Sequence, residues 1–337
     1  TSMDLSNWSN LECVGNYGIY RFLNGSDNLE YINMSGWNMP NVNIANSMLY
    51  DAGKLTTNGC VFVLDNMTFG AITGITSFMQ NAKIKTLSMD NWSLNPSGTC
   101  SFSGFFFNAS ADVAGSIALD LSSWTNTSCI SIMTNFMRAS TVTSSPFSSL
   151  NTTGWDTSNL TSLSHAFYRA AYLTDIIGLG GWKGDSVTTL QASFEDTRKL
   201  NFTNHNFDTT LWNAALTNLT GSMANCFKGV GMNNAGTAPN LTNWPTSNVT
   251  AMNNFMYQAT FTSNPDISTW NFSSCTTLSQ FFRDTGGLTS ATFNNISSAC
   301  TTFYQKFRDC DDLTTVIYNS NCDLSAVNTY SHYAFNS

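Results

Sequence analysis

The sequence has little charge and no long apolar run, and each absence excludes a class of protein. Lys, Arg, Asp and Glu make up only 10% of the 337 residues, against about 25% in an average domain. The 13 basic residues form no stripe and the net charge is −8, which disfavours nucleic-acid binding because that requires phosphate neutralisation. No apolar run reaches the roughly 18 residues of a membrane-spanning helix, so we expect no membrane insertion within this segment.

Motifs for catalysis, metal binding and cofactor binding are also missing. The chain has three His residues and no C-x-x-C pair, and it contains neither a nucleophile elbow nor a phosphate-binding loop. The acidic residues form no pair at a fixed spacing for glycosidase chemistry. His165 and His332 both follow an apolar position by two residues, and an exposed position explains them better than catalysis. We therefore expect no enzyme, no cofactor and no metal.

Trp residues instead mark a repeat. They stand at 8, 37, 92, 124, 155, 182, 212, 244 and 270, with gaps of 29, 55, 32, 31, 27, 30, 32 and 26. The gap of 55 hides one more unit, because Met67 opens MTFGAITGITSFMQNA with the later spacing. A further unit without Trp is centred on Asn295, and a partial unit follows it. We predict about eleven units within a single repeat solenoid over residues 1–337.

The residues after each Trp favour a helix. Counted from Trp155, apolar side chains stand at +5, +8, +12 and +15 as Leu160, Leu163, Phe167 and Ala170. Steps of three, four and three are typical of one face of an α-helix. Position +3 often holds a helix-capping residue such as Ser158. Each unit is therefore predicted to carry a helix of about three turns.

The residues before each Trp favour a strand. Apolar side chains alternate at −5 and −3, as at Leu119 and Leu121, and the motif L-x-x-L-x-L-x-x-W is similar to the leucine-rich repeat L-x-x-L-x-L-x-x-N. The predicted fold class is an α/β solenoid, a leucine-rich-repeat-like stack of strand-turn-helix units. Strands pair about 4.8 Å apart whereas helices pack roughly 8–10 Å apart. The stack should therefore curve, with a concave parallel sheet and convex helices.

The cysteine content does not show whether the protein folds in an oxidising or a reducing compartment. The nine Cys are an odd number, so at least one is unpaired within the chain. Cys13, Cys129, Cys275 and Cys300 fall at +5 and Cys100 at +8, where we expect small apolar core residues. Disulfides among Cys60, Cys226, Cys310 and Cys322 are an alternative.

Asn, Ser and Thr replace the missing charges, with 41 Asn and 85 Ser and Thr. Fifteen N-x-S/T sequons result, whereas composition alone predicts about ten. Candidate N-glycosylation sites are Asn159, Asn218, Asn240 and Asn248. Attached sugars would require a eukaryotic secretory host or a virus of one, and a preference for polar residues at these positions is the alternative.

The repeat resembles that of the BspA-like leucine-rich repeat surface proteins, a group that includes Mycoplasma-type lipoprotein repeats. The family pattern W-D-T-S-x-V-T-x-M-x-x-M-F is matched closely over residues 155–167 and 244–256 and more loosely elsewhere. The resemblance implies an extracellular solenoid used for adhesion or recognition.

Two kinds of position follow from the repeat. The Trp residues are expected in the core, in particular Trp124, Trp155, Trp182, Trp244 and Trp270. Strand positions −4, −2 and −1 should face away from the core and form a concave binding face. The candidate binding residues are Asp90, Asn91, Asp120, Ser122, Asn151, Thr153, Asp208, Thr210, Asn240, Thr242, Asp266 and Ser268.

These positions predict a recognition or adhesion module on a cell or virion surface. Its partner would be a protein or glycan, bound through short hydroxyl, amide and carboxylate groups. A sheet face that meets water must be polar in any case, so solubility alone is the simpler explanation. The alternative function is a structural subunit of an extracellular filament, surface layer or virion. In that case uncapped ends would stack on further copies, since Leu5 to Trp8 already belong to a repeat.

Overall fold

The repeat units form successive coils of a parallel β-solenoid of about ten turns, so the predicted repeat solenoid is confirmed. The computed structural model describes residues 1–8, 18–95, 98–213 and 219–328. Every strand pairing among these residues is parallel and joins counterparts about one repeat unit apart. Asn33, for example, pairs with Val63, and Val63 pairs with Ser88.

The strands are short. In chain order they are β1 Ser2–Asp4, β2 Tyr31–Asn33, β3 Asn38–Met39, β4 Cys60–Val63, β5 Thr68–Phe69, β6 Lys83–Ser88, β7 Cys100–Ser101, β8 Ser110–Ala111, β9 Ile117–Asp120, β10 Ile130–Ile132, β11 Phe147–Asn151, β12 Asp175–Ile177, β13 Ser290–Phe293 and β14 Thr315–Tyr318. They form a sheet in the order β1-β2-β4-β6-β8, a sheet β12-β11-β9, and the pairs β10-β7, β13-β14 and β3-β5. Isolated bridges continue the pairing, as along Ser222, Ala251, Thr277 and Thr302.

Contacts divide the chain into two compact units. Unit 1 comprises residues 1–160 and 169–178, and unit 2 comprises residues 161–168 and 179–337. Unit 1 contains β1 to β12, whereas unit 2 contains β13, β14 and coils joined by isolated bridges. Each unit has its own stack of coils around buried apolar side chains.

Where the structure describes the residues after a Trp, the predicted helix is wrong. In the coil of Trp37, the backbone N–H of Ala52 donates to the carbonyl of Leu49 at 3.2 Å, which closes a β-turn rather than a helical turn. Leu49 itself donates to the carbonyl of Phe78 in the next coil at 2.8 Å. The described residues contain one α-helix, α1 Thr209–Asn213, and two 3-10 helices, Thr127–Cys129 and Leu179–Gly181. The strand-turn-helix units are therefore not formed.

The apolar spacing that suggested a helix comes from turns of four residues. Met48 and Leu49 are buried, Tyr50 and Asp51 are partly exposed, and Ala52 is buried again. A turn that repeats every four residues, with two side chains inward and two outward, also spaces the buried residues three and four positions apart. Steps of this kind match a helix of 3.6 residues per turn over a short window.

Left-handed backbone conformations make these turns. They recur at +10 and +14 after the repeat position, with φ of 55° at Ser47 and 61° at Asp51 in unit 1, and 55° at Asn254 and 60° at Gln258 in unit 2. A residue in this region would interrupt an α-helix, because L-amino acids visit it singly rather than in helices. Each such residue turns the chain and returns it to the core.

The predicted concave and convex faces rested on unequal spacing of strands and helices. In the structure the turn segments pair between coils through the same kind of backbone hydrogen bond as the strands. Ser47 donates to Thr76 at 2.8 Å in unit 1, and Asn254 donates to Ser279 at 2.9 Å in unit 2. Where described turn segments stand in place of the predicted helices, the spacing mismatch behind the predicted curvature does not arise.

Trp rings occupy the core of both units. Trp37, Trp92, Trp124, Trp155, Trp182, Trp212, Trp244 and Trp270 are buried, whereas Trp8 is 48% exposed. In unit 1 the rings of Trp92 and Trp124 stack with centroids 4.7 Å apart. In unit 2 those of Trp212 and Trp244 stack at 5.1 Å. Neighbouring coils are thus joined by aromatic contacts as well as by backbone hydrogen bonds.

Most indole N–H groups donate to the previous coil at one recurring position. Trp155 donates to the carbonyl of Leu121 at 2.9 Å and Trp270 to that of Leu241 at 2.9 Å. The acceptor lies three residues before the repeat position of the previous coil. For Trp244 the corresponding acceptor would be residue 209, where α1 begins. The indole N–H of Trp244 has no partner among the described residues.

Candidate functional site

The residues predicted to face away from the core do so. We use the name polar strand face for them within each unit. In unit 1 they are Asp90, Asn91, Asp120, Ser122, Asn151 and Thr153; in unit 2 they are Asp208, Thr210, Asn240, Thr242, Asp266 and Ser268. All twelve are exposed or half-buried. In unit 1 Asp120 ends β9 and Asn151 ends β11, and the two are directly paired, so their side chains stand about 4.8 Å apart along the sheet.

Local hydrogen bonds fix several of these side chains. Oδ1 of Asp120 accepts the backbone N–H of Ser122 at 2.9 Å and its hydroxyl at 2.6 Å. Asn151 accepts the same two groups from Thr153 at 3.0 and 2.8 Å. The arrangement is an Asx turn, in which a short polar side chain bends the chain at the end of a strand.

The same turn recurs in unit 2. Asp208 accepts the N–H and hydroxyl of Thr210, both at 2.7 Å, at the start of α1, and Asp266 accepts the N–H of Ser268 at 2.8 Å. One carboxylate oxygen of each Asp is thus used within the coil. The polar strand face therefore combines a structural role with an exposed row of polar groups.

In unit 1 the carboxylates of Asp65, Asp90 and Asp120 lie close enough together to interact. Burial raises the pKa of Asp90, and the neighbouring carboxylates of Asp65 and Asp120 raise it further. Burial alone would raise the pKa of Asp120 too, but hydrogen bonds from Ser122 and Asn151 hold it below its usual value. Within the described ranges, no group of three acidic, His or Cys side chains is arranged to hold a metal ion.

The Asx turns also explain part of the excess of sequons. In N-x-S/T at Asn33, Asn151, Asn201 and Asn271, the Asn oxygen accepts the N–H two residues on, at 2.9 to 3.1 Å. D-x-S/T forms the same turn at Asp120 and Asp208. The repeat thus selects Asn or Asp followed by a hydroxyl residue for a structural reason.

The candidate glycosylation sites are partly accessible. Asn159, Asn240 and Asn248 are exposed, and the Asn159 amide donates to the carbonyl of Ser128 at 3.0 Å. Asn218 lies outside the described residues.

A second cluster, in unit 2, was not predicted. Lys306 is buried, and its Nζ lies 3.5 Å from the ring centroid of Phe293, 4.2 Å from Phe303, 4.9 Å from Tyr318 and 5.3 Å from Phe307. It also donates to the Tyr318 hydroxyl at 3.3 Å. Four ring faces around one ammonium stabilise its charge by cation–π attraction. We name Lys306 and these four rings the lysine cage.

Thiols adjoin the lysine cage. Burial lowers the pKa of the Lys306 amine to about 7, while the thiols of Cys300, Cys275 and Cys322 oppose the change. The hydrogen bond with Cys275 and the charge of Lys306 lower the pKa of Cys300 despite its burial. The cluster places an amine that titrates near neutral pH beside two buried thiols.

The repeat alignment contained a signal for Lys306. It stands at +11 from Asn295, and the same position holds Phe281 after Trp270 and Phe255 after Trp244. A Lys in a register of buried aromatic residues is unusual, because charged side chains are rarely buried without a partner. The surrounding rings and thiols, however, follow only from the way the coils stack.

The fold and the two sites define the class of protein as a parallel β-solenoid with a Trp-centred repeat. The chain belongs to the family described as Mycoplasma protein of unknown function, DUF285, whose model matches residues 134–227 and 221–337. Neither the curated proteins nor the solved structures contain a match to this chain. No helix within the described residues is long and apolar enough to cross a membrane.

Proposed function

We propose that this solenoid is a non-enzymatic recognition module, exposed outside the cell or on a virion, that binds a protein or glycan through the polar strand face. The observation that carries the proposal is the recurrence of Asx turns along the coils. They hold polar side chains in fixed positions at a regular spacing. A ligand that meets groups already held in place loses less of its binding energy to their ordering.

The chemistry of the face supports a polar ligand. Carboxylate, amide and hydroxyl groups both donate and accept hydrogen bonds, and the Asp side chains keep one oxygen outside the turn. The similarity of the Trp motif to BspA-like surface proteins, which implies adhesion or recognition, also supports this function. Few aromatic side chains stand on the face, so hydrogen bonding rather than ring stacking should dominate.

The test is binding of purified protein to a glycan array and to intact cells, the latter before and after treatment with protease or glycosidase. Two face variants remove charge: Asp90→Asn with Asp120→Asn in unit 1, and Asp208→Asn with Asp266→Asn in unit 2. At Asp120, Asp208 and Asp266 the Asn side chain keeps the oxygen that accepts in the turn. We expect at least one of them to lose about tenfold in affinity, because a charge-assisted hydrogen bond is worth about 1.5–3 kcal/mol.

A matched control carries the same kind of change on exposed carboxylates elsewhere, Glu30→Gln with Asp112→Asn and, separately, Asp311→Asn. These variants should bind as the wild type does. Equal losses in face and control variants, or no retention on any surface, would contradict the proposal. Ordered polymers of the purified protein would instead favour the alternative, a filament, surface-layer or virion subunit. The half-exposed ring of Trp8, stacked on Trp37 at 6.1 Å, is the observation that favours this alternative.

A further inference from the structure

Four of the nine cysteines lie as two pairs in adjacent coils, one pair in each unit. In unit 1 the Sγ atoms of Cys100 and Cys129 are 2.8 Å apart, and both residues are buried. Cys100 belongs to β7, and Cys129 immediately precedes the start of β10, which pairs with β7. The two thiols therefore meet inside the core of neighbouring coils.

In unit 2, Cys275 and Cys300 occupy the same position of neighbouring coils. Two residues further on, Thr277 bridges Thr302, and the N–H of Thr301 donates to the carbonyl of Thr276 at 3.2 Å. This register places Cys275 opposite Cys300, and both are fully buried. Their side chains are hydrogen-bonded to each other.

The spacing of coils fits a disulfide. Hydrogen-bonded parallel segments lie about 4.7–4.9 Å apart, and the Cα atoms of a disulfide are usually about 4.4–6.8 Å apart. Cys275 and Cys300 lie opposite each other at this spacing. Cys129 stands one residue before Ile130, the direct partner of Cys100, and the Cys129 and Cys100 Sγ atoms are already 2.8 Å apart. The described thiols outside the two pairs are placed differently. Cys310 and Cys322 donate to the backbone carbonyls of Phe282 and Phe293.

We propose that Cys100–Cys129 and Cys275–Cys300 are two disulfide sites that link adjacent coils when the protein folds in an oxidising compartment. The inference does not rest on the proposed recognition function. It also reverses the expectation from the sequence, which treated these four residues as core filler and considered pairing among Cys60, Cys226, Cys310 and Cys322.

The oxidant is a small disulfide such as oxidised glutathione, and the reaction is thiol–disulfide exchange. One Cys thiolate attacks a sulfur of the oxidant, forming a mixed disulfide and releasing one glutathione thiol. The second Cys thiolate then attacks the protein sulfur of the mixed disulfide and expels the other glutathione. The pair loses two electrons and two protons, and both are recovered in two molecules of reduced glutathione.

Lys306 should make the two links unequal. Its ammonium favours the Cys300 thiolate, and a group that stabilises the reduced thiolate makes the corresponding disulfide easier to reduce. Among the residues that the structure describes, no cation lowers the pKa of the buried Cys100, which is raised by its hydrogen bond with Cys129 and by burial. Cys275–Cys300 should therefore be reduced before Cys100–Cys129.

The test refolds the full chain in a glutathione redox buffer, unfolds it in guanidinium with an alkylating reagent, and counts labelled cysteines by mass spectrometry. With nine cysteines in the chain and four in links, five should be labelled, against nine after prior reduction. Peptide mapping should recover the links 100–129 and 275–300. Nine labelled cysteines under oxidising conditions, or links between other residues, would overturn the proposal.

Single-cysteine variants distinguish loss of a specific disulfide from a general folding defect. Cys129→Ala and Cys275→Ala each leave eight cysteines and one link, so six should be labelled. Cys226→Ala, which removes a buried thiol outside both pairs, leaves eight cysteines and two links, so four should be labelled. A count of six for this control would contradict the pairing.

The order of reduction tests the part assigned to Lys306. Across a series of glutathione buffers, reduction of Cys100–Cys129 should need about a tenfold higher ratio of reduced to oxidised glutathione than reduction of Cys275–Cys300. Lys306→Met should narrow this difference while leaving Cys100–Cys129 unchanged. The reverse order, or an unchanged difference in the variant, would contradict the role of Lys306.

Discussion

Lys306 shows at the scale of one residue how the core tolerates a cation. Its amine replaces an aromatic ring in a register of buried side chains, and four rings and the Tyr318 hydroxyl surround it. Burial disfavours its charged form, whereas the ring faces favour it. The lowered pKa indicates that burial has the larger effect.

This balance predicts a pH-dependent effect of Lys306→Met. Between the folded pKa of about 7 and the usual value of 10.5, the unfolded chain binds more protons. The unfolding free energy contributed by Lys306 therefore rises with pH in this window. The variant should be more stable than the wild type by about 2–4 kcal/mol near pH 7, the gain being limited by the lost cation–π contacts.

The measurement is denaturant unfolding of both proteins, with thiols kept reduced, at several pH values from 6 to 9. The buried thiols of Cys275 and Cys300, the partly exposed thiol of Cys322 and the Tyr318 hydroxyl also face Lys306. They are present in both proteins, so the difference between the two reports on the amine and on its interaction with the Cys300 thiol. It should be largest below pH 7 and shrink as the pH rises. A constant difference, or a more stable wild type, would contradict the assignment.

The indole N–H groups give a second prediction for single residues. Trp155→Phe removes the hydrogen bond to the Leu121 carbonyl, whereas Trp244→Phe removes an N–H that has no partner among the described residues. Both changes shorten a buried ring by a similar amount. Trp155→Phe should therefore cost about 1 kcal/mol or more beyond Trp244→Phe. Thermal unfolding of the two variants measures the difference, and equal midpoints would show that the indole hydrogen bonds contribute little.

The sequence identified the exposed residues of the candidate site but not its second role. Alternation along a strand is enough to assign Asp120 and Asn151 to the outer side. The Asx turns are visible in the sequence as D-x-S/T and N-x-S/T at one register, but alternation assigns these residues to the outer face without indicating a turn. The lysine cage could not be predicted from the sequence pattern, because Phe293 and Tyr318 contact Lys306 from different coils.

At the scale of elements, a turn of four residues and a helix favour different residue types at Asn81. This residue has a left-handed φ of 57°, and its amide donates to Asp51 at 3.0 Å. Glycine suits a left-handed position, whereas a β-branched residue is strained there by roughly 1–2 kcal/mol. In a helix the order would be reversed, because glycine is the poorer helix former.

Asn81→Gly and Asn81→Val therefore distinguish the two structures. Both lose the contact with Asp51, so their difference reports the backbone alone. The Gly variant should be the more stable by about 1–2 kcal/mol in chemical unfolding. A more stable Val variant would mean that the segment is helical.

The error over the helices has a physical cause. Apolar residues such as Leu160, Leu163 and Phe167 recur with a spacing that two backbones can produce, and N-cap residues before them strengthened the helical interpretation. The sign against it was Asp or Asn recurring at +14, as in Asp51, Asn81 and Asp284 after their own repeat positions. These residue types tolerate a left-handed backbone, which a helix does not use.

At the scale of the whole molecule, the Trp spacing predicted the solenoid because a repeat can bury its apolar side chains only against its neighbours. The strands at Leu119 and Ile32 were placed correctly for the same reason. The predicted curvature has no basis, since it was inferred from helices where the described segments form turns. The Mycoplasma part of the resemblance is consistent with the family that matches residues 134–337, whereas the resemblance to BspA-like leucine-rich repeats is not confirmed.

The hydrogen bonds between turn segments of successive coils constrain how such a chain can change in length. The left-handed residues stand at +10 and +14 after Trp37, but at +12 and +16, as Gly104 and Asn108, after Trp92. Two extra residues are thus accommodated early in that coil, and the later register is restored. In evolution, the chain length of such a protein should therefore change by duplication or deletion of whole coils. Insertions of one or a few residues should be tolerated only between the paired segments of a coil. Homologues should therefore differ in their number of coils by whole numbers.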